Sequence, residues 1–151
     1  MRNWIMVFIF VLLQISFPPL SLAEKMTDHW KLTGFTKYRD AVFADMTRLG
    51  SPTPDTVSVW IKIAPSKRSK YLQAVWAYLA SVHKDHQRFR SVEILCEIDC
   101  TGYRIRMTKF VYLDDARTVI HETPETQRTW IPIHHGGIWH PVAKTACSGK
   151  S

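Results

Sequence analysis

Between Thr56 and Ala64 the chain alternates without a break: Val57, Val59, Ile61 and Ile63 occupy every second position, with Ser58, Trp60 and Lys62 between them. Side chains two apart share a face of an extended strand, so this segment demands a sheet with one apolar face and one mixed face. The period then changes. From Lys67 to about His86, the residues Leu72, Val75, Trp76, Leu79 and Val82 recur at three- and four-residue steps. That is the apolar stripe of an amphipathic helix, with Ser66 placed to cap it. A second alternating run follows, with Val92, Ile94, Cys96, Ile98 and Cys100 on one face and Glu93, Leu95, Glu97 and Asp99 on the other. Strand, helix and strand in this order predict a helix laid over one face of an antiparallel sheet.

Shorter signals extend this nucleus in both directions. Trp30 to Lys37 reads as a first strand and Ala41 to Met46 as a second. Leu49 to Asp55 is dense in turn residues, and its two prolines are expected to block regular pairing. Thr101-Gly102 makes a tight turn into a long strand from Tyr103 to Asp114, and Asp114-Asp115 turns into Thr118 to Glu122. Thr123 to Thr129 is polar and predicts a loop. Trp130 to Ile133 then leads through Gly136-Gly137 to a short helix, Trp139 to Cys147, with Pro141 in its first turn. The expected fold is a single α+β domain of five or six antiparallel strands, with a helix between the third and fourth and another at the end.

The first 23 residues predict a leader and not part of the domain. Arg2 is followed by an apolar run from Trp4 to Ile15, then Pro18-Pro19, then the small-x-small pattern Ser21-Leu22-Ala23. This is the layout of a cleaved secretory signal peptide, and its apolar run is too short to span a bilayer. Residues 24–148 then form the domain and 149–151 a tail, with no transmembrane segment left after cleavage. The chain carries a formal net charge of +7, one unit of which sits on Arg2. For an exported protein such an excess suits lipopolysaccharide, anionic lipid, acidic polysaccharide or an extracellular protein. The basic residues are dispersed, and no nucleic-acid-binding module is present.

Catalytic and metal motifs are missing. There is no Gly-x-Ser-x-Gly elbow, no phosphate-cradling loop and no His-Glu-x-x-His. His83 and His86 lie three apart on the expected helix, and His134, His135 and His140 cluster near the end, but neither set has structural zinc spacing. Solvated or core histidines account for them. Cys96, on an apolar strand face, reads as a buried and inert thiol. The expectation is a non-enzyme without metal or cofactor. An exporting route favours one disulfide among Cys96, Cys100 and Cys147. Cys96 and Cys100 on one strand stand roughly 13 Å apart at about 3.3 Å per residue, beyond the ~7 Å reach of a disulfide. Cys147 therefore pairs with one of the two.

The ordered set Trp30, Tyr38, Phe43-Ala-Asp45, Val57-Ser-Val-Trp-Ile-Lys62, Glu97-Ile-Asp-Cys100, Arg104-Ile-Arg106, Tyr112-Leu-Asp114, Trp130 and Cys147 resembles the surface-adhesin protein E-like domain family. The resemblance implies that the disulfide is Cys100–Cys147 and that it ties the C-terminal helix back to the sheet. It also implies an exported protein, periplasmic or on the outer surface of a Gram-negative cell, able to form a homodimer and to bind an extracellular protein. The long helix after Lys67, the extra Cys96 and the glycine-free Asp-Asp-Ala-Arg turn depart from the family pattern. The matching residues are strand cores, tryptophans and cysteines, so they bear on fold more than on adhesion. Trp60, with Arg104 and Arg106, is the candidate binding surface for an extracellular protein or acidic polysaccharide, since tryptophan and arginine dominate interface hot spots. Against that, a sheet this small needs covering, which favours a helix over Trp60. The alternative function is metal binding or envelope maintenance in the periplasm.

Overall fold

A computed structural model of the chain describes residues 29–148; the expected leader and the tail 149–151 lie outside them. Strands β1 (Trp30–Phe35), β2 (Ala41–Thr53), β3 (Thr56–Ala64), β4 (Ser91–Asp99), β5 (Arg104–Leu113) and β6 (Val119–Glu122) follow one another across a single antiparallel sheet. A two-residue strand, β7 (Ile131–Pro132), pairs with the start of β5. Helix α1 (Lys70–Ser81) is inserted between β3 and β4, and α2 (His140–Cys147) ends the domain. The α+β expectation holds, with β7 added to the six main strands.

The two alternating runs pair directly. Val57 faces Ile98, Val59 faces Cys96, Ile61 faces Ile94 and Ile63 faces Val92. Val42 and Ala44 of β2 and Ile105 and Tyr112 of β5 continue this apolar layer outward. All are buried, together with Val75 and Leu79 of α1 and Val142, Ala143 and Ala146 of α2. Both helices therefore cover the same face. Burying each such valine, leucine or isoleucine contributes about 1.5–3 kcal/mol, so this one layer accounts for most of what holds the domain together.

Helix α1 is shorter at both ends than its periodicity predicts. Ser66 does not cap it: its amide donates to Asp40 Oδ1 at 2.9 Å and its hydroxyl to the Tyr38 carbonyl at 2.8 Å, tying the exit of β3 to the β1–β2 turn. Ser69 takes the capping role, its Oγ accepting from Tyr71 N and Leu72 N. At the other end His83 enters the left-handed region (φ 56°). The Lys84 amide returns to the Leu79 carbonyl and the His83 amide to Ala80, a Schellman closure.

Strand β2 runs beyond its expected end. The segment with Pro52 and Pro54 was to be a loop, yet β2 continues to Thr53 through register shifts, with Gly50 facing Ser58 and Thr53 facing Thr56. β1 accompanies β2 only as far as Asp45, so beyond that point β2 is an edge where a proline removes no ladder bond. On the far side, residues 119–133 track β5 from end to end. β6 pairs first, then Thr123 N and Thr126 N donate to Phe110 O and Thr108 O, and finally β7 pairs. Thr108 is the extra residue of a bulge between Leu95 and Cys96 and bonds the Leu95 carbonyl, which curls the sheet.

Helix α2 is held as the resemblance implied. Cys100 and Cys147 form a disulfide of 2.03 Å, and Cys96 is a free, buried thiol.

Candidate functional site

Because both helices lie on the Val57–Ile63 face, the opposite face of the sheet carries no helix among the described residues. Trp60 does not pack beneath one. It is half-buried on that open face, in a cross-strand row with Trp30 of β1 and Asp45 of β2. Arg48 closes the row. Its guanidinium lies 5.5 Å from the Trp30 ring and 5.3 Å from the Trp60 ring, and its Nε is 2.6 Å from Asp45 Oδ2. Thr47 donates to the other carboxylate oxygen through its amide at 2.9 Å and its hydroxyl at 2.6 Å. Burial alone would raise the pKa of Asp45, but the bonds from Thr47 and Arg48 outweigh it and hold it at about 2. Lys62 adds a second cation, 5.0 Å from Trp30 and 4.9 Å from Phe43, and among the described residues no carboxylate is within ion-pair distance of it.

Arg104 and Arg106 share this open face, on β5. Their guanidinium carbons lie 5.3 Å and 4.5 Å from the ring of Trp130, which immediately precedes β7. Arg106 pairs with Glu97 at 2.5 Å and Arg104 with Asp99 at 2.6 Å. Asp99 also accepts from the Gly102 amide, and that bond followed by Arg104 holds its carboxyl below the usual range. A Cβ on Gly102 would meet Asp99 Oδ2 at 2.4 Å, so the turn needs glycine to keep this clamp. Across the open face three tryptophans thus stack with arginines that are each fixed by a carboxylate. Such side chains lose little freedom on binding; Trp60 and Trp130 stay partly accessible, whereas Trp30 is buried and backs Arg48 from below.

Sequence reasoning found Trp60, Arg104 and Arg106 but not Trp30, Arg48 or Trp130 as their companions. Arg48 lies past the expected end of the second strand, and the parity of Trp130 with the arginines depends on β7 pairing with β5. Only the register reveals either relation.

The helix-covered side holds a cavity of about 660 Å³ lined mainly by Phe35, Tyr38, Ile63, Tyr71, Ile138 and Trp139. Cys96 sits in the core, where burial pushes its thiol well above the ordinary range, away from nucleophilic chemistry. His83 and His86 do not share a helix face, since α1 ends at Ser81; His86 instead meets the edge of Trp76. His135 and His140 are brought together, while among the described residues no three of His, Cys, Asp and Glu gather around a common centre. No helix of the described residues is long and apolar enough to cross a membrane.

A family model, surface-adhesin protein E, matches residues 32–148, which include both helices and every strand apart from the first two residues of β1. No curated protein and no solved structure matches the chain significantly.

Proposed function

As the chain belongs to the surface-adhesin protein E family, we propose that it is an exported, non-enzymatic binding protein whose open sheet face docks an extracellular protein. One observation carries this reading: Arg48 stacked between Trp30 and Trp60, and Arg104 with Arg106 against Trp130, on the face without helices. Charge favours one of the two partner classes. Each arginine of the face has its own carboxylate, Asp45, Asp99 or Glu97. The face is therefore near neutral, and an acidic polysaccharide would find few unpaired charges on it. A protein surface offering planar or apolar anchors fits better, because stacked aromatic and arginine side chains act as interface hot spots with little help from net charge.

The reading is tested by surface plasmon resonance of residues 24–151 against purified extracellular-matrix proteins and against heparin. The expected result is binding to a matrix protein that weakens by a factor of about 10 or more in Trp60→Ala and in Arg106→Ala, with a shallow dependence on salt. Heparin binding with a steep salt dependence, unaffected by Trp60→Ala, would refute the assignment of this face. Protease treatment of intact cells tests the location: removal of the protein supports a role at the outer surface. Full protection, with release on osmotic shock, would instead favour the periplasmic reading.

A further inference from the structure

We propose that His135 and His140 form a two-imidazole site for a divalent first-row transition-metal ion, copper(II) above all. The site lies at the turn before α2, and it does not rest on the adhesin reading. The two rings have centroids 4.9 Å apart with planes at 57°. A metal–nitrogen bond of about 2.0–2.1 Å puts the ion roughly 3.2 Å from each imidazole centre, so two imidazoles cis on one ion, at the right angle of a tetragonal site or somewhat wider, stand about 4.5–5 Å apart. The rings already have that separation.

The surroundings hold them there. Gly137 N donates to the His134 carbonyl at 2.9 Å and His140 N to the Gly137 carbonyl at 3.2 Å, folding the turn that carries His135 back over the start of α2. Gly136 supplies the left-handed step, with φ of +80°. Tyr103, itself held at φ 48°, stacks on His135 with centroids 5.6 Å apart and hydrogen-bonds His140 Nδ1 through its phenol oxygen. With Nδ1–H donating to that oxygen, His140 presents the lone pair of Nε2 for coordination, the arrangement in which an outer partner fixes the tautomer of a metal-binding histidine. His135 is exposed and His140 half-exposed, so an ion and its remaining water ligands can reach both. A chain of net positive charge repels every cation, so affinity has to come from coordination. That excludes calcium and magnesium, which want oxygen, and selects imidazole-seeking ions, of which copper(II) binds most tightly.

The test is calorimetric titration of the oxidised chain with copper(II) chloride, together with electron paramagnetic resonance of the complex. We expect one ion per chain, nitrogen hyperfine structure from two imidazoles, and weaker binding of zinc. His135→Ala, an exposed turn position, should weaken copper binding at least about tenfold, and Tyr103→Phe, which keeps the ring but loses the hydrogen bond, by about 10-fold. His83→Ala with His86→Ala should leave it unchanged. Copper bound equally well by a folded His135→Ala/His140→Ala protein, or a spectrum without nitrogen coupling, would overturn the site.

Discussion

Removing the Cys100–Cys147 disulfide should cost the domain a large part of its stability. The bond closes a loop across a sequence separation of 47 residues. In the chain-entropy treatment, closing a loop of that length removes about 4 kcal/mol of disorder from the unfolded chain. Set against a typical domain stability of ~5–15 kcal/mol, that is roughly a quarter to four-fifths of the whole. Helix α2 cannot replace it, since its eight residues are too few to hold as a helix without tertiary support, and it buries only Val142, Ala143 and Ala146. Cys147→Ala, Cys100→Ala and the double variant should therefore lose about the same amount, because each removes one and the same bond, and all should match the wild type reduced with dithiothreitol. Urea unfolding followed by tryptophan fluorescence reads this as a lower midpoint, with a steeper slope because the open unfolded chain exposes more surface. The melting temperature should fall on the order of 15 °C. Oxidised and reduced protein unfolding within about 1 kcal/mol of each other would refute the loop-entropy reasoning.

Three further outcomes follow from the packing. Asp45→Asn should cost about 1–3 kcal/mol, since Thr47 and Arg48 lose their charged acceptor, and it should release Arg48 from between the tryptophans, visible as a change in their fluorescence. The folded carboxyl of Asp45, at about 2, lies below its ordinary 3.8, so its contribution is present above the latter value and disappears as pH falls through the former; acid unfolding of Asp45→Asn should lack that step. Cys96 should resist thiol reagents in the folded protein and react fully in guanidinium, and rapid labelling of the native state would contradict its burial. Ile61→Ala, which empties the centre of the apolar layer, should destabilise by about 2–5 kcal/mol in the same urea assay.

Period alone made the centre of the domain readable. The alternation of Val57 to Ile63 and of Val92 to Ile98 set strand, face and partner, because a slip of one residue would turn either apolar set to water. What period could not give was decided by single side chains acting at a distance. Ser66 is an acceptable helix cap by composition, yet Asp40 and Tyr38 claim it, and the helix starts at Lys70 instead. Pro52 argues for a loop only if β2 has neighbours on both sides, and the shortness of β1 removes one of them. The candidate surface divides in the same way. Trp60, Arg104 and Arg106 lie on regular strands and could be placed by parity, whereas Arg48 and Trp130 join them through a register shift and a two-residue pairing.

The two borders of the sheet are unequal, and this limits how the molecule can grow. Residues 119–133 shield β5 along its whole length, so no incoming strand can dock there. Among the described residues nothing pairs with the outer side of β1, although its register breaks between Leu32 and Gly34 and Phe35 is 61% exposed beside it. The other border is made of the four-residue β6 and the two-residue β7, too short to guide an incoming strand far, so β1 offers the longer purchase. Were two copies to pair antiparallel along β1, that border would be used up in both, and contact of this kind would close at a pair.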